Sequence, residues 1–430
     1  MAFLPIFQLL DSRNYRLFFF GQLISLMGLW MANTASMWLV YHLTESAWIL
    51  GCVGFCSYAP TFFLGPIAGV WVDRWDRHRL LLTTQSLSML QSFALAWFAL
   101  TGTISITHIV ILNVFQGLVN AFDMPARQAL MAELVEKKEN LSNAIALNSS
   151  MFNLGRLLGP AIGGFLIAWQ GVGICFLIDG ITYWAVLGSL LAMTVVRSPR
   201  PKARHPWHEL KEGLSYVRSH AQIRAILVLL AIFSVWGIPV MVLTPIFNRE
   251  ILHGHPGDLG MILAAEASGA LCGALYLSQR KHQVALVWRT IVIGGLIQST
   301  AWMIFSQTRW LPISMLFIAL IGFGGLLLLA SCNTLIQLLV ENGKRGRVMS
   351  IYVMAFNGMM PLGYLVEGAL AQRIGVIFTI GIGSLVCFLS ILIFQTRLSG
   401  LLEFIPATVS TGKPVAPLAP VRESSAASRS

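Results

Sequence analysis

Four ionisable side chains stand inside long apolar stretches of this sequence: Arg156, Asp179, Glu266 and Glu367. A charge held in hydrocarbon costs about 3 kcal/mol or more, so such groups face a cavity or one another and mark sites of function. Arg156 therefore needs a carboxylate or a water-filled space, and the three acids are its candidate partners. Desolvation favours the neutral form of a carboxylic acid, and a nearby cation reverses that preference. A carboxyl group alternating between these conditions binds and releases a proton. Glu266 has no arginine near it in the sequence and is the first choice for the proton-binding group, with Asp179 second. The competing reading is a set of salt bridges that only lock helices.

Two further patterns are denser than chance packing requires. Between two apolar runs lies a charge cluster containing Gly69, Asp73, Arg74, Asp76, Arg77 and Arg79, in a chain that is only 11% charged. The arginines fix this loop on the cytoplasmic side. Asp73, one helical turn beyond Gly69, can accept hydrogen bonds from a neighbouring element or a helix N-terminus. Farther on, Gly155, Gly159 and Gly163 recur at four-residue spacing, with Pro160 and Gly164 beside them. That spacing makes a flat stripe for close helix contact, and the proline removes one backbone bond and allows bending. Asp123 and Arg127, at i and i+4, read as a local ion pair. Asn33, Asn113, Gln116, Asn120, Asn333, Gln337 and Asn357 are candidates for lining a substrate cavity, and Asn113, Gln116 and Asn120 share one helix face. Trp30, Trp38, Trp236 and Trp302 read first as interfacial anchors and second as cavity lining.

The elements that position these residues follow from hydropathy. Apolar residues make up 56% of the 430, and mean hydropathy is +0.73. A helix needs about 20 apolar residues to cross roughly 30 Å of hydrocarbon. That ruler marks twelve runs, near 17–41, 47–71, 80–101, 106–124, 143–169, 173–195, 224–247, 258–278, 284–306, 311–338, 349–372 and 375–396. With both termini cytoplasmic, the great majority of the 29 Lys and Arg lie inside; Arg249, Arg309 and Arg373 lie outside and Arg156 is within a span. No cleavable signal peptide is visible, and the first span serves as the insertion signal. The basic linker 197–223 separates an N-terminal half, 1–196, from a C-terminal half, 224–397. Within the linker, Trp207–Arg218 has the spacing of an amphipathic surface helix. The tail, 398–430, is rich in Pro, Ala and Ser and is expected to be disordered. Ala126, Pro160 and Gly69 have counterparts in Ser331, Pro361 and Gly273, at offsets of 205, 201 and 204 residues. Near-constant offsets point to a duplicated six-helix unit inserted twice in the same sense. The fold class is thus all-α: a polytopic membrane protein with twelve transmembrane helices in two pseudo-symmetric six-helix halves.

Other functions find little support. The net charge of +11 resides in short loops, not on one soluble face, which argues against nucleic acid. The six cysteines lie within apolar runs, without metal-ligand or disulfide spacing. No nucleotide-binding Gly-x4-Gly-Lys motif, catalytic triad, cofactor site or metal site stands out. An enzyme is not expected.

The spacing Gly-x3-Asp-Arg-x2-Arg-x-Arg at 69–79 resembles the signature loop of the major facilitator superfamily. The 155–164 pattern resembles the fifth-span signature of its antiporter branches. Asn14–Phe18, Trp38–Thr44, Asp73–Arg77, Met124–Ala129 and Arg345–Ser350 are similar to a branch that includes enterobactin exporters and macrolide-efflux-like proteins. The resemblance covers 11–397. It implies a monomeric secondary exporter of the cytoplasmic membrane that moves a small amphipathic compound, drug-like or siderophore-like. Proton antiport and alternating access would drive it, with the 69–79 loop latching the halves on the inner face. The alternatives are a lipid or lysolipid translocator of the same fold, and a non-transporting membrane sensor or scaffold.

Overall fold

In hydrocarbon every backbone polar group needs an internal partner, which leaves an open chain of this composition only the helix. The computed structural model describes residues 8–72, 74–135, 141–194, 206–280, 284–341 and 343–402, and no strand occurs among them. After a short 3-10 turn the helices are α1 (Arg13–Thr44), α2 (Ala47–Val72), α3 (Arg77–Leu100), α4 (Ile106–Glu133), α5 (Leu141–Gln170) and α6 (Val172–Ala192). The linker contributes α7 (Pro206–Ser219). Then come α8 (Ala221–Trp236), α9 (Thr244–Glu250), α10 (Pro256–Ser278), α11 (Val284–Phe305) and α12 (Leu311–Leu339). The last three are α13 (Arg345–Asn357), α14 (Met360–Ile374) and α15 (Val376–Leu402).

Local chemistry sets several ends. Asp76 caps α3 by accepting from the Arg79 amide at 3.1 Å. Pro256 opens α10, and the Asp258 carboxylate accepts from the His255 amide at 2.6 Å. Glu45 leaves α1 in the left-handed region, at φ 48°.

Among the described residues, eleven helical stretches are long and apolar enough to cross a membrane, with 221–250 and 345–374 each counted as one. The expected third span is the exception. It is the helix α3, 24 residues long, but Thr84, Gln85, Ser88, Gln91 and Ser92 lower its hydropathy. All five are buried, and α3 packs against α4 and α6.

Two expected continuous spans are broken. The run 224–247 is divided into α8, a 3-10 turn at Pro239–Leu243, and α9. The run 349–372 is divided into α13 and α14 at Gly358 and Met359, immediately before Pro361. A proline supplies no amide hydrogen to the turn before it, so each break falls at one. Pro160, the expected counterpart of Pro361, lies inside an unbroken α5. The amphipathic linker helix is present as α7. It is tied to α13 by a Glu212–Arg347 ion pair and by Lys344 over the Tyr216 ring at 4.9 Å. Residues 197–205 of the linker and 403–430 of the tail fall outside the described residues, and α15 continues to Leu402, into the stretch expected to be tail.

Packing joins α1 to α5 and α6, α2 to α4, and α3 to α4 and α6. Farther along, α12 holds α10 and α11, and α15 holds α8 and α11. The main contacts between these two groups are α5 with α10 and α2 with α14. At the end predicted to face out, one apolar core contains Val40, Leu50, Phe176, Phe247, Trp302 and Ile380, from both groups. At the other end the core divides. Leu81, Leu130 and Leu190 belong to one cluster, and Ile226, Ile291 and Val348 to another. Trp302, expected as an interfacial anchor, lies in the shared core, only 2% exposed.

Glycine allows the two cross-group contacts. A methyl on Gly164 would lie 2.8 Å from the Gly260 Cα, and one on Gly51 would lie 3.0 Å from the Gly368 Cα. Gly260→Val should therefore lower unfolding stability by about 1–3 kcal/mol through overpacking. Gly381→Ala, where nothing lies within 4 Å, should change it by less than about 0.5 kcal/mol. Denaturation of the purified protein in detergent measures both.

Candidate functional site

The stripe on α5 places Arg156. Methyl groups on Gly155, Gly159 and Gly163 would press on Leu26, Trp30 and Met31 of α1, with 2.6 Å from Gly159 to the Trp30 Cβ. Gly164 turns the other way, to α10. Helix α5 is thereby wedged between α1 and α10, and Arg156 reaches across from one group to the other. Its Nη2 forms an ion pair with Glu266 Oε1 of α10. The guanidinium lies 5.9 Å from the Trp30 ring centroid, and Nη2 is 4.0 Å from the Met241 sulfur in the 3-10 turn after α8. The pair is unequal: the Arg156 side chain is 32% exposed and that of Glu266 8%. Tyr58 of α2 lies within electrostatic reach of Arg156, and its ring packs on Tyr364 of α14 at 5.6 Å.

The other two acids are elsewhere. Asp179 of α6, 2% exposed, accepts from Ser92 of α3 at 2.6 Å, and its Oδ1 lies over Gly28 of α1 without a partner among the described residues. Glu367 of α14, 1% exposed, has neither oxygen hydrogen-bonded. Of the four intramembrane charges, only Arg156 and Glu266 meet. The ground for choosing Glu266, that no arginine neighbours it, holds along the chain and fails in space.

Asp123 and Arg127 form the expected ion pair. The pair is part of a larger network, since Thr84 and Gln85 of α3 donate to Asp123 at 2.8 and 2.7 Å. Gln116 donates to Ser88 of α3 at 3.0 Å, which ties α3 to α4, and to Asn120 of its own helix at 3.1 Å. Gln337 donates to Asn333 at 2.5 Å on α12. Asn33 and Asn113 are half-buried, and Asn357 is exposed at the α13–α14 break. In the 69–79 loop, Gly69 is within α2 and Asp73 falls outside the described residues. Arg74 and Arg79 are exposed, and Arg77 pairs with Glu133 at the end of α4. Trp71 and Trp75 stack on Phe122, each ring at 6.1 Å. The described part of the loop is thus fastened to its own helix group.

One polar cluster escaped sequence reasoning. At the end predicted to face out, Tyr41 of α1 donates to Glu250 of α9. Arg249 bonds Glu45 at 2.9 Å and His42 at 3.2 Å. Ser46 donates to Gln372 of α14 at 2.9 Å. This outer lock ties the two groups together. Its signal was Arg249 itself, a cation on the side where the charge rule expects few.

The two helix groups share one apolar core at the end predicted to face out, have separate cores at the other and are joined by the Arg156–Glu266 ion pair, and the chain is a membrane transporter of the major facilitator superfamily. The family model described as "Transmembrane secretion effector" matches residues 6–405, and the chain belongs to that family. It is a multi-pass membrane protein and not an enzyme. It is 27% identical to the staphyloferrin A transporter of Staphylococcus aureus, over 88% of this chain and 96% of that one. It is 24% identical to macrolide efflux protein A of Streptococcus pyogenes, over 84% and 91%. The nucleoside transporter NupG, 11% identical in its crystal structure, shares the fold with a TM-score of 0.71 over 89% of this chain and 99% of that one.

Arg156→Ala would strand Glu266 in a buried site, so the variant should lose about 3 kcal/mol of unfolding stability. Adding Glu266→Gln should restore most of that loss, because the buried charge is gone. Denaturation of the single and double variants reads the difference.

Proposed function

We propose that this protein is a secondary active exporter of a small amphipathic organic compound, drug-like or siderophore-like, driven by proton antiport through alternating access. Twelve spans, with α3 as the third, form two six-helix halves, 1–196 and 224–397, joined by the linker 197–223. Both termini face the cytoplasm, and the protein acts as a monomer. One observation carries the reading: the Arg156–Glu266 ion pair, which joins two helix groups that share an apolar core at one end and have separate cores at the other. The names of the staphyloferrin A and macrolide efflux relatives support the substrate class.

The chemistry follows from the pair. Ionised Glu266 holds the guanidinium beside Trp30 and fixes the pocket that substrate enters from the cytoplasm. A proton reaching Glu266 from the outer side neutralises the carboxylate and removes the attraction on Arg156. The pocket loses its order and substrate is released outward. The halves then return, and the proton leaves to the cytoplasm. Substrate and proton thus favour opposite states of one pair, as exchange requires. Asp179 and Glu367 are the remaining carboxyls of the relay. The 69–79 loop, with Asp73, closes the inner face in the opposite state.

The test uses proteoliposomes. An imposed pH gradient should drive substrate movement, and Glu266→Gln should reduce gradient-driven flux at least tenfold while leaving substrate binding measurable. Flux indifferent to both the gradient and the substitution would sink the coupling mechanism.

A further inference from the structure

The outer lock is built on one cation. Arg249 of α9 donates through Nη2 to Glu45 Oε1 at 2.9 Å and through Nη1 to His42 Nδ1 at 3.2 Å. Its guanidinium also lies 5.9 Å from the Tyr41 ring centroid. Tyr41 and His42 belong to the last turn of α1, and Glu45 is the residue that caps it. A guanidinium has only N–H groups to offer, so in this contact His42 is the acceptor. An imidazole accepts at Nδ1 only while neutral, with its one proton on Nε2. The bond from Arg249 and a proton on His42 Nδ1 therefore exclude each other, and a protonated His42 sets a second positive charge against Arg249.

The surroundings give that second charge a place once Arg249 has left. The last turn of α1 is the negative end of its helix dipole, which favours a cation. Glu45 stands three residues beyond His42, the spacing of side-chain neighbours on a helix. Trp38, one turn back, stacks on the imidazole with centroids 6.5 Å apart and planes 10° from parallel, and an aromatic face attracts a cation. From α9, Arg249 and Glu250 face this turn, Glu250 accepting from the Tyr41 hydroxyl. From α14 comes Gln372, uncharged, bonded to Ser46 and the Trp48 amide at 2.9 and 3.3 Å, with Arg373 beside Trp48. Among the described residues no other charged side chain is bonded to the turn. His42 is exposed, so water reaches it.

We infer that the C-terminal turn of α1 is a single cation site, filled by Arg249 when the outer lock is closed and by protonated His42 when it is open. Acid at the end predicted to face out therefore opens that end, and alkali closes it. His42 takes its proton from the outer water and returns it there when Arg249 comes back. The inference rests on the alternating access proposed above and adds a gate to it. The acidity that supplies the exchanged proton also opens its way in.

Spin labels at Thr103→Cys and Gln307→Cys, exposed positions in the loops joining α3 to α4 and α11 to α12, measure opening at the outer end. Cys52, Cys56 and Cys272 are replaced by serine, and the buried Cys175, Cys332 and Cys387 are kept. Buffers run from about pH 8 to about pH 5, the interval in which an imidazole changes charge. The parent should show a short inter-label distance at the alkaline end and a longer one at the acid end. His42→Gln, whose amide oxygen accepts from Arg249 at every pH, should hold the short distance throughout. His42→Arg, a cation at every pH, should hold the long one. A pH response that survives in His42→Gln belongs to Glu45, Glu250 or the buried carboxyls and overturns the inference. A parent without a response overturns it, as does a His42→Arg variant that closes in alkali. Neither substrate nor flux is needed and Glu266 is untouched, so the proteoliposome test of antiport is decided separately.

Discussion

Hydrocarbon offers no partner to a charge, and the arrangement of this molecule depends on how its few buried charges are satisfied from within. The solutions form a series. Asp123 is held by Arg127 of its own helix and by Thr84 and Gln85 of α3, all within one group. Glu266 has a single partner, Arg156, that belongs to the opposite group. Asp179 has one donor, Ser92, and one oxygen without a partner among the described residues. Glu367 has no hydrogen-bond donor among them. Among the described residues the four acids thus differ chiefly in how many partners stabilise their charged form.

Shape follows the same division. Apolar packing is continuous where the helix groups touch through Gly164–Gly260 and Gly51–Gly368, and at the other end it divides into separate clusters. Contacts that cross between the groups are therefore short-range backbone approaches at one end, reinforced by a polar rim of Tyr41, Glu45, Arg249 and Glu250. Helix α7 adds an asymmetry. Through Glu212–Arg347 and Lys344 over Tyr216 it is docked on the later helix group.

Much of the scaffold was legible because the apolar runs are long relative to the bilayer and a helix is their only solution. The glycine stripe of α5 was equally readable, since four-residue spacing has one meaning on a helix. The breaks at Gly237–Ile238 and Gly358–Met359 were hidden because apolar residues on both sides keep hydropathy high through them. Pairing was hidden for a different reason. Arg156 had three candidate acids, and only the docking of α5 on α10 selects Glu266, more than a hundred residues away. Trp30 was read as an anchor because an amphipathic ring is usually interfacial; its place under the guanidinium comes from Gly159, which lets α1 approach. The Asn and Gln residues were read as cavity lining; Gln116 also bonds Ser88 of α3, a contact that polarity alone could not reveal.

Helix α3 carries a consequence for how the chain is made. Thr84, Gln85, Ser88 and Ser92 on its polar face find their partners in Asp123 and Gln116 of α4 and in Asp179 of α6, all of which lie later in the chain. When α3 leaves the ribosome those partners do not yet exist, and on its own it is the least lipid-soluble of the long segments. It must wait at the translocation channel or the membrane interface until α4, and then α6, have been synthesised. Assembly of the first helix group is thus ordered in time, with the third helix the last to settle.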